Sequence, residues 1–256
     1  MKKFVLIGAP RTGSTLLVQL LNSSPAVKCH YELYNQNELN IDGVDRSAEI
    51  AERNTNPSAF LDKIVGETNS RAETVGFKIF DGHNEDLLQE LIRRDDWKKV
   101  VLNRRNFLSI YSSRLISQKK ELWSAPTEDG KRSSVAETSA KPTWNETVEF
   151  EEKQFWNLYN RHIGFYGRVV EALNAAGQHF EYLEYGDLLN EGLVRRLFSY
   201  LGVAQPDQLQ TSLRRNNTSH ILSRFDNKDD VREFLKRINR LDWVTESDAG
   251  WDLQQG

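Results

Sequence analysis

The chain has 256 residues, 38% of them hydrophobic and 28% charged, with a formal net charge of −3. That balance is ordinary for a globular protein and argues against wholesale disorder. It also excludes a chain built to coat nucleic acid, although local basic clusters still suit a small anion. A single cysteine, Cys29, forms no internal disulfide, so no oxidising compartment is implied. Its neighbours Lys28 and His30 would favour a reactive thiol; the plainer reading is a small, partly buried residue.

Met1-Lys2-Lys3 before an apolar run has the outline of a signal peptide. The run Phe4–Ile7 stops at Gly8, however, which is too short for a signal segment or a membrane span. No later apolar stretch is long enough, so the expected setting is the cytoplasm, without stable membrane insertion. Phe4–Ile7 reads as a strand buried on both faces. A glycine-bearing turn follows, and then a helix over Thr15–Leu21 with Leu16, Leu17, Leu20 and Leu21 on one face. Strand, turn and helix in that order open an α/β unit. Glu38–Ala59 is polar with few core anchors. Val75–Phe80 reads as a second strand, Glu85–Arg94 as a helix, Lys99–Asn103 as a third strand and Asn106–Gln118 as a helix. Trp123–Lys141, rich in Ser, Thr, Glu, Lys and Ala, reads as an exposed mobile loop within about 117–145, a candidate substrate lid. A long helical stretch over Glu149–Ala175 is expected to be interrupted by Gly164 and Gly167. Phe180–Glu184 forms a fourth strand and Leu188–Leu201 a helix ended by Gly202. The tail is polar and basic from Leu209, then helical from about Asp229 to Asn239. No repeat or linker divides the chain, so a single domain over 1–256 is expected.

Gly8-Ala9-Pro10-Arg11-Thr12-Gly13-Ser14-Thr15 keeps the two glycines of a phosphate-binding loop at their usual spacing, with Ser14 where such loops carry lysine. Glycines let backbone N–H groups turn inward around an anion, and the following helix adds its free amides and positive dipole end. Ser14 and Thr15 supply hydroxyls, and Arg11 restores a cation that forks onto phosphate or sulfate oxygens. The alternative is a tight strand-to-helix turn without a ligand, but strand, helix, hydroxyl pair and arginine agree in one place. With the recurring strand–helix alternation, this points to a P-loop-like, three-layer α/β fold with a central parallel sheet flanked by helices.

A second motif follows the third strand: Asn103-Arg104-Arg105-Asn106, then a helix bearing Ser109, Ser112 and Ser113. Arginines at the carboxyl end of such a strand sit where open α/β sheets bind ligands. Ser113 lies eight residues after Arg105, and Ser112 eight after Arg104, so either pair suits one phosphate. Taken alone, the pattern equally describes a solvated helix start.

Together the motifs resemble sulfotransferases that use 3′-phosphoadenosine 5′-phosphosulfate (PAPS). Pro10–Leu17 resembles their 5′-phosphosulfate loop, and Arg105 through Ser113 their 3′-phosphate motif. The Arg-Arg-Asn variant is similar to bacterial carbohydrate sulfotransferases of the nodulation-factor and glycolipid type. Cys29–Tyr34, Val75–Ile79, Tyr185–Leu189 and Leu213–Thr218 resemble further family segments in order. Asn103, Asn106 and Gly186 depart from the usual residues, and Ser117–Phe150 matches nothing.

The resemblance implies in-line transfer of a sulfuryl group from PAPS to an acceptor hydroxyl, leaving PAP and needing no metal. Pro10, Arg11, Thr12, Gly13, Ser14 and Thr15 would hold the 5′ end. Arg105 and Ser113 would hold the 3′-phosphate, with Arg214, Arg215 and Asn216 closing over it. Glu32 is the first candidate base, His30 the second and His83 the third, while Lys78 would approach the sulfuryl group or the acceptor. The acceptor is expected to be a small molecule or glycan, with Trp123, Trp144, Phe155 and Trp156 as candidate sugar-stacking rings beside their plainer reading as core. Rival readings are a P-loop nucleotide or small-molecule kinase, which would need magnesium, and a non-catalytic nucleotide-binding module.

Overall fold

The computed structural model describes residues 1–68, 72–119, 146–213 and 220–246. The chain forms two compact units, one from Met1–Asn103 and Phe165–Ser212 and the other from Arg104–Gly164 and Leu213–Ala249. In the first unit, β1 (Lys2–Gly8) leads through a loop into α1 (Ser14–Leu21) and then β2 (Val27–His30). A small antiparallel hairpin, β3 (Asn40–Ile41) with β4 (Val44–Asp45), precedes α2 (Ile50–Thr55) and α3 (Pro57–Glu67). Then come β5 (Thr74–Phe80), α4 (Glu85–Arg93) and β6 (Trp97–Asn103). The helix α5 (Phe107–Lys119) belongs to the second unit. The helix α6 (Glu152–Ala175) contributes its first part to the second unit and its last turns to the first. β7 (Phe180–Glu184) and α7 (Glu191–Leu201) complete the first unit, and α8 (Lys228–Arg237) lies in the second.

The five long strands pair in the order β2-β5-β1-β6-β7, every pair parallel. The reason lies in the sequence: runs such as Phe-Val-Leu-Ile are apolar at consecutive positions and bury both faces. Val5, Ile7, Phe77, Ile79 and Val101 pack on one face with residues of α3, α4 and the last turns of α6. Phe4, Leu6, Val100 and Leu102 pack on the other with α1 and α7. Helices on both faces of a parallel sheet make the expected three-layer α/β fold.

Several local expectations change. The polar stretch Glu38–Ala59 is structured: it holds the hairpin, α2 and the start of α3. Gly164 and Gly167 do not interrupt α6, which runs unbroken. A helical glycine costs only about 1 kcal/mol relative to alanine, less than the packing of a long amphipathic helix returns. The expected helix over Leu188–Leu201 begins later, at Glu191, because Asn190 caps it by accepting from the Leu193 N–H. Its end at Gly202 is as expected, with φ 78° at that glycine.

The second unit is built on aromatic rings. Phe107 meets Phe155 edge-to-face at 5.3 Å, and Phe150 lies 4.9 Å from Phe234. Phe155 is fully buried and Trp156 packs against it, so these two rings serve the core. Trp123, Trp144 and residues 120–145 of the expected loop lie outside the described residues; Ser117–Lys119 complete α5. Among the described residues, no helix is long and apolar enough to cross a membrane.

Gly76, in the middle of β5, has its α-hydrogen against the Phe4 ring: a Cβ there would come 2.4 Å from it. Gly76→Ala is expected to cost roughly 1–3 kcal/mol through this overpacking. Denaturant unfolding measures the loss, and adding Phe4→Leu should recover part of it.

Candidate functional site

The first part of the site is the loop between β1 and α1. β1 leads through α1 to β2 on one side of it, whereas β6 on its other side is reached from β5 through α4, so the strand order reverses beside β1 and its carboxyl end lies at a switch point. At Gly8 a Cβ would lie 3.2 Å from the Leu102 carbonyl and 3.8 Å from the Tyr166 hydroxyl, so the chain leaves the sheet through a tight position. Arg11 (φ 71°) and Gly13 (φ 92°) take left-handed backbone, which turns successive amides in one direction. The Thr12 hydroxyl donates to the Ala9 carbonyl at 2.7 Å and fixes the bend. Gly13 caps α1 without a side-chain hydrogen bond, so a side chain does not compete with an anion for the helix's first amides. The turn Tyr185–Leu189 closes behind the loop. The Asp187 carboxylate accepts the Glu184 N–H at 2.8 Å, and a Cβ on Gly13 would come 2.5 Å from the Tyr185 ring.

The second part is a contact chain beside this loop. Lys78, near the carboxyl end of β5, is only 3% exposed. Its Nζ donates to Thr15 Oγ1 at 3.1 Å and lies 2.9 Å from Glu32 Oε1. The rings of Phe80 and Tyr31 stand 5.0 Å and 5.3 Å from the same ammonium, adding cation–π attraction. Glu32 Oε2 accepts from Asn35 Nδ2 at 3.2 Å and lies 3.6 Å from His83 Nε2. Because His83 Nδ1 accepts the Phe80 N–H at 3.3 Å, the neutral ring carries its proton on Nε2, facing that carboxylate. Burial opposes the charge on Glu32, but Lys78, His83 and Asn35 outweigh it and hold the carboxyl below the usual range. Burial also pushes His83 down to about 4, against the pull of Glu32.

Lys78, Glu32, His83 and Thr15 are therefore gathered, while His30 is not among them. His30 Nε2 meets Thr68 Oγ1 at 3.2 Å, and Nδ1 lies 3.8 Å from Asp42 with no hydrogen-bond partner. It lines a separate cavity of about 680 Å³ with Lys28, Asp42 and Arg46, and burial pushes it down to about 4. Cys29 packs in the core beside α1, where burial pushes its thiol up to about 12, so it stays protonated.

One supporting residue escaped the sequence reading. Arg53, in α2 and 2% exposed, donates to the carbonyls of Leu33 (2.9 Å) and Asn35 (2.8 Å), clamping the turn that carries Glu32. A lone arginine in a polar stretch gives no signal of this.

The arginine–serine motif belongs to the second unit. Arg105 is exposed, while Ser113 is buried in α5. Arg104 donates to Glu246 from both Nε (2.9 Å) and Nη2. Arg214, Arg215 and Asn216 lie outside the described residues.

The fold and loop thus define an α/β protein with a glycine-bearing turn that leads from the carboxyl end of its central strand into the first amides of α1. Residues 4–116 match the model of the sulfotransferase family. The chain is also similar to the crystal structure of a sulfotransferase from Alicyclobacillus acidocaldarius, at 15% identity over 97% of this chain and 98% of that one, with a TM-score of 0.49. No curated protein matches the chain.

His30 and His83 both sit near 4, below the ordinary value of about 6.5, so between these limits the unfolded chain binds more protons than the folded one. Stability should be complete above about pH 6.5 and fall as the pH drops towards about 4. Denaturant midpoints from pH 7.5 to 4.5 check this, and His30→Gln should flatten the slope.

Proposed function

We propose that the protein is a PAPS-dependent sulfotransferase that moves a sulfuryl group to a hydroxyl of a small-molecule acceptor, a carbohydrate or glycolipid by resemblance. The observation that carries this reading is the chain Thr15–Lys78–Glu32, in which a phosphate-type loop, a buried cation and an ionised carboxylate meet within hydrogen-bonding distance. The match of residues 4–116 to the sulfotransferase model supports it. The loop residues fit such a donor: its uncapped amides, Arg11, Ser14 and Thr15 are what a 5′-phosphosulfate requires. Arg105 with Ser113, or Arg104 with Ser112, would take the 3′-phosphate, and Arg214, Arg215 and Asn216 would cover it.

When bound, the donor supplies an electrophilic sulfur and a phosphate leaving group. The bond from sulfur to the 5′-phosphate oxygen breaks as the bond to the acceptor oxygen forms. Glu32 takes the acceptor's hydroxyl proton, and His83, neutral at pH 7, orients the carboxylate from its other side. Lys78 and the loop amides offset the negative charge that develops on the bridging and leaving oxygens.

Calorimetric titration with 3′-phosphoadenosine 5′-phosphate (PAP), beside ATP with magnesium, tests the donor. PAP is expected to bind without magnesium, and more weakly when the arginine holding its 3′-phosphate is replaced, which Arg104→Ala and Arg105→Ala separate. Magnesium-dependent ATP binding without PAP binding would move the kinase reading forward. Once an acceptor is found, Glu32→Gln should lower kcat by about 10²–10⁴-fold while PAP affinity is retained. An unchanged kcat would remove Glu32 from the reaction.

A further inference from the structure

The cavity beside His30 lies in the first unit, apart from the loop and from Glu32. In the parallel register His30 stands opposite Phe77, so the two side chains share the face covered by α3. Lys78, the next residue of β5, points to the other face and takes its contact chain with it. The cavity, about 680 Å³, is walled by β2, the hairpin of β3 and β4 and the end of α3, and its size is that of small-molecule sites. Asp42 and Gly43 make the two-residue turn of that hairpin, with φ of 56° and 82° as such a turn requires. The Asn40 side-chain oxygen accepts the Gly43 N–H at 2.9 Å and fixes the turn, which sets Asp42 in the cavity wall. Asp42 is paired with Lys28, and Arg46 Nη1 lies 2.6 Å from Glu67 Oε2, so the two cations of the wall are matched by two carboxylates.

His30 is 5% exposed, and burial pushes it down to about 4, so the ring is neutral at pH 7. The Thr68 hydroxyl spends its one hydrogen on the Ile64 carbonyl at 2.9 Å, so its oxygen accepts from His30 Nε2 at 3.2 Å. The proton is therefore on Nε2, and Nδ1 is a lone-pair acceptor. Among the described residues, Nδ1 has no hydrogen-bond partner, and the group nearest to it in charge is another acceptor, Asp42 Oδ1 at 3.8 Å. A purely apolar ligand would leave that nitrogen unpaired at a cost. An anion would set its own acceptors against Nδ1 and Asp42, and a cation would face Lys28 and Arg46. A hydroxyl alone answers both sides, donating its hydrogen to Nδ1 while its oxygen accepts from the Lys28 ammonium. Arg46 and Glu67 offer partners to further hydroxyls on the same skeleton, and Val27, Ile41 and Ile64 offer aliphatic surface to its C–H faces. We propose that this cavity is a binding site for a neutral polyhydroxylated ligand of saccharide type, one hydroxyl of which bridges His30 Nδ1 and Lys28. The site goes beyond sulfuryl transfer and stands without it, since the sheet separates it from Lys78 and Glu32.

The full-length protein, without any sulfuryl donor, is titrated with glucose, galactose, mannose and maltose, and with glucose 6-phosphate and cyclohexanol for comparison. Heteronuclear NMR follows the His30 imidazole, whose signals are those missing from His30→Gln, and calorimetry gives the affinities. At least one of the neutral saccharides is expected to move the Nδ1 resonance saturably, as a nitrogen that gains a hydrogen-bond donor does. Lys28→Met, which takes the ammonium from a partly exposed position, should weaken that binding by about twofold to tenfold, with the fold checked by thermal melting. No saturable movement with any of the four saccharides overturns the proposal and means that water satisfies the nitrogen. Saccharide binding that leaves the His30 ring unmoved, or that Lys28→Met leaves unchanged, also overturns it, because the ligand then sits elsewhere. Glucose 6-phosphate binding as tightly as glucose refutes the choice of a neutral ligand, and binding of cyclohexanol alone refutes that of a polyol. Should His30→Gln fail to fold, the calorimetric comparison of the parent protein with Lys28→Met decides in the same two directions.

Discussion

Because β1 is hydrogen-bonded along both edges and covered on both faces, its register with β5 decides what reaches the loop. Leu6 stands opposite Lys78, and both point to the face covered by α1. A slip of one residue would turn Lys78 into the opposite core, among Val5, Ile7 and the ring of Trp97. The apolar pattern of both strands forbids that slip, and so the ammonium is delivered to Thr15 at the first turn of α1. The cradle and the cation beside it are thus products of one sheet register rather than two separate features.

A cation so delivered must be neutralised. At 3% exposure, an unpaired ammonium would be costly, and the structure answers with a carboxylate, a hydroxyl and two aromatic faces. The carboxylate in turn has to be aimed, and Arg53 does this from behind by fixing the carbonyls of Leu33 and Asn35. The second unit repeats the logic at Arg104, whose guanidinium holds the carboxylate of Glu246. In each unit, a cation of the kind that binds anionic groups is matched by an acid of the same chain. That pairing offsets the desolvation each buried charge would otherwise suffer unpaired.

How much of this was legible depended on whether the signal was local. β1 announces itself as a continuous apolar run, β5 and β6 as largely apolar ones, and the loop as glycines between a strand and a helix. Lys78 and Glu32 were nameable through short segments that resemble known ones. Their contact was not, because it joins β5 to a turn after β2 through sheet pairing. β2 itself is short, mixes Lys28 and His30 with Val27 and Cys29, and among the described residues pairs only with β5, so it lacks the run that marks a buried strand. The hairpin and α2 hide in a polar stretch because they give the core little beyond Ile41 and Ile50, and their buried Arg53 reads as surface until its carbonyl partners are known. Glycines misled in the opposite direction at Gly164 and Gly167, where helix packing outweighs the cost of a missing side chain.

The choice between Arg104 and Arg105 shows why spacing alone was insufficient. Both have a serine eight residues ahead, so the sequence is degenerate. A helix advances about 100° per residue, and this separates Ser112 from Ser113 even though they are adjacent in the chain. Ser109 and Ser112, three residues apart, share a face, and Arg224 bonds to both hydroxyls. Ser113 lies a hundred degrees or so further round; its carbonyl accepts the Ser117 hydroxyl at 2.8 Å within α5. Arg104 meets the first face through Glu246 and Ser109, whereas Arg105, the next residue along, is exposed. Helical phase, a property of the folded backbone, thus groups residues that a count along the chain leaves equivalent.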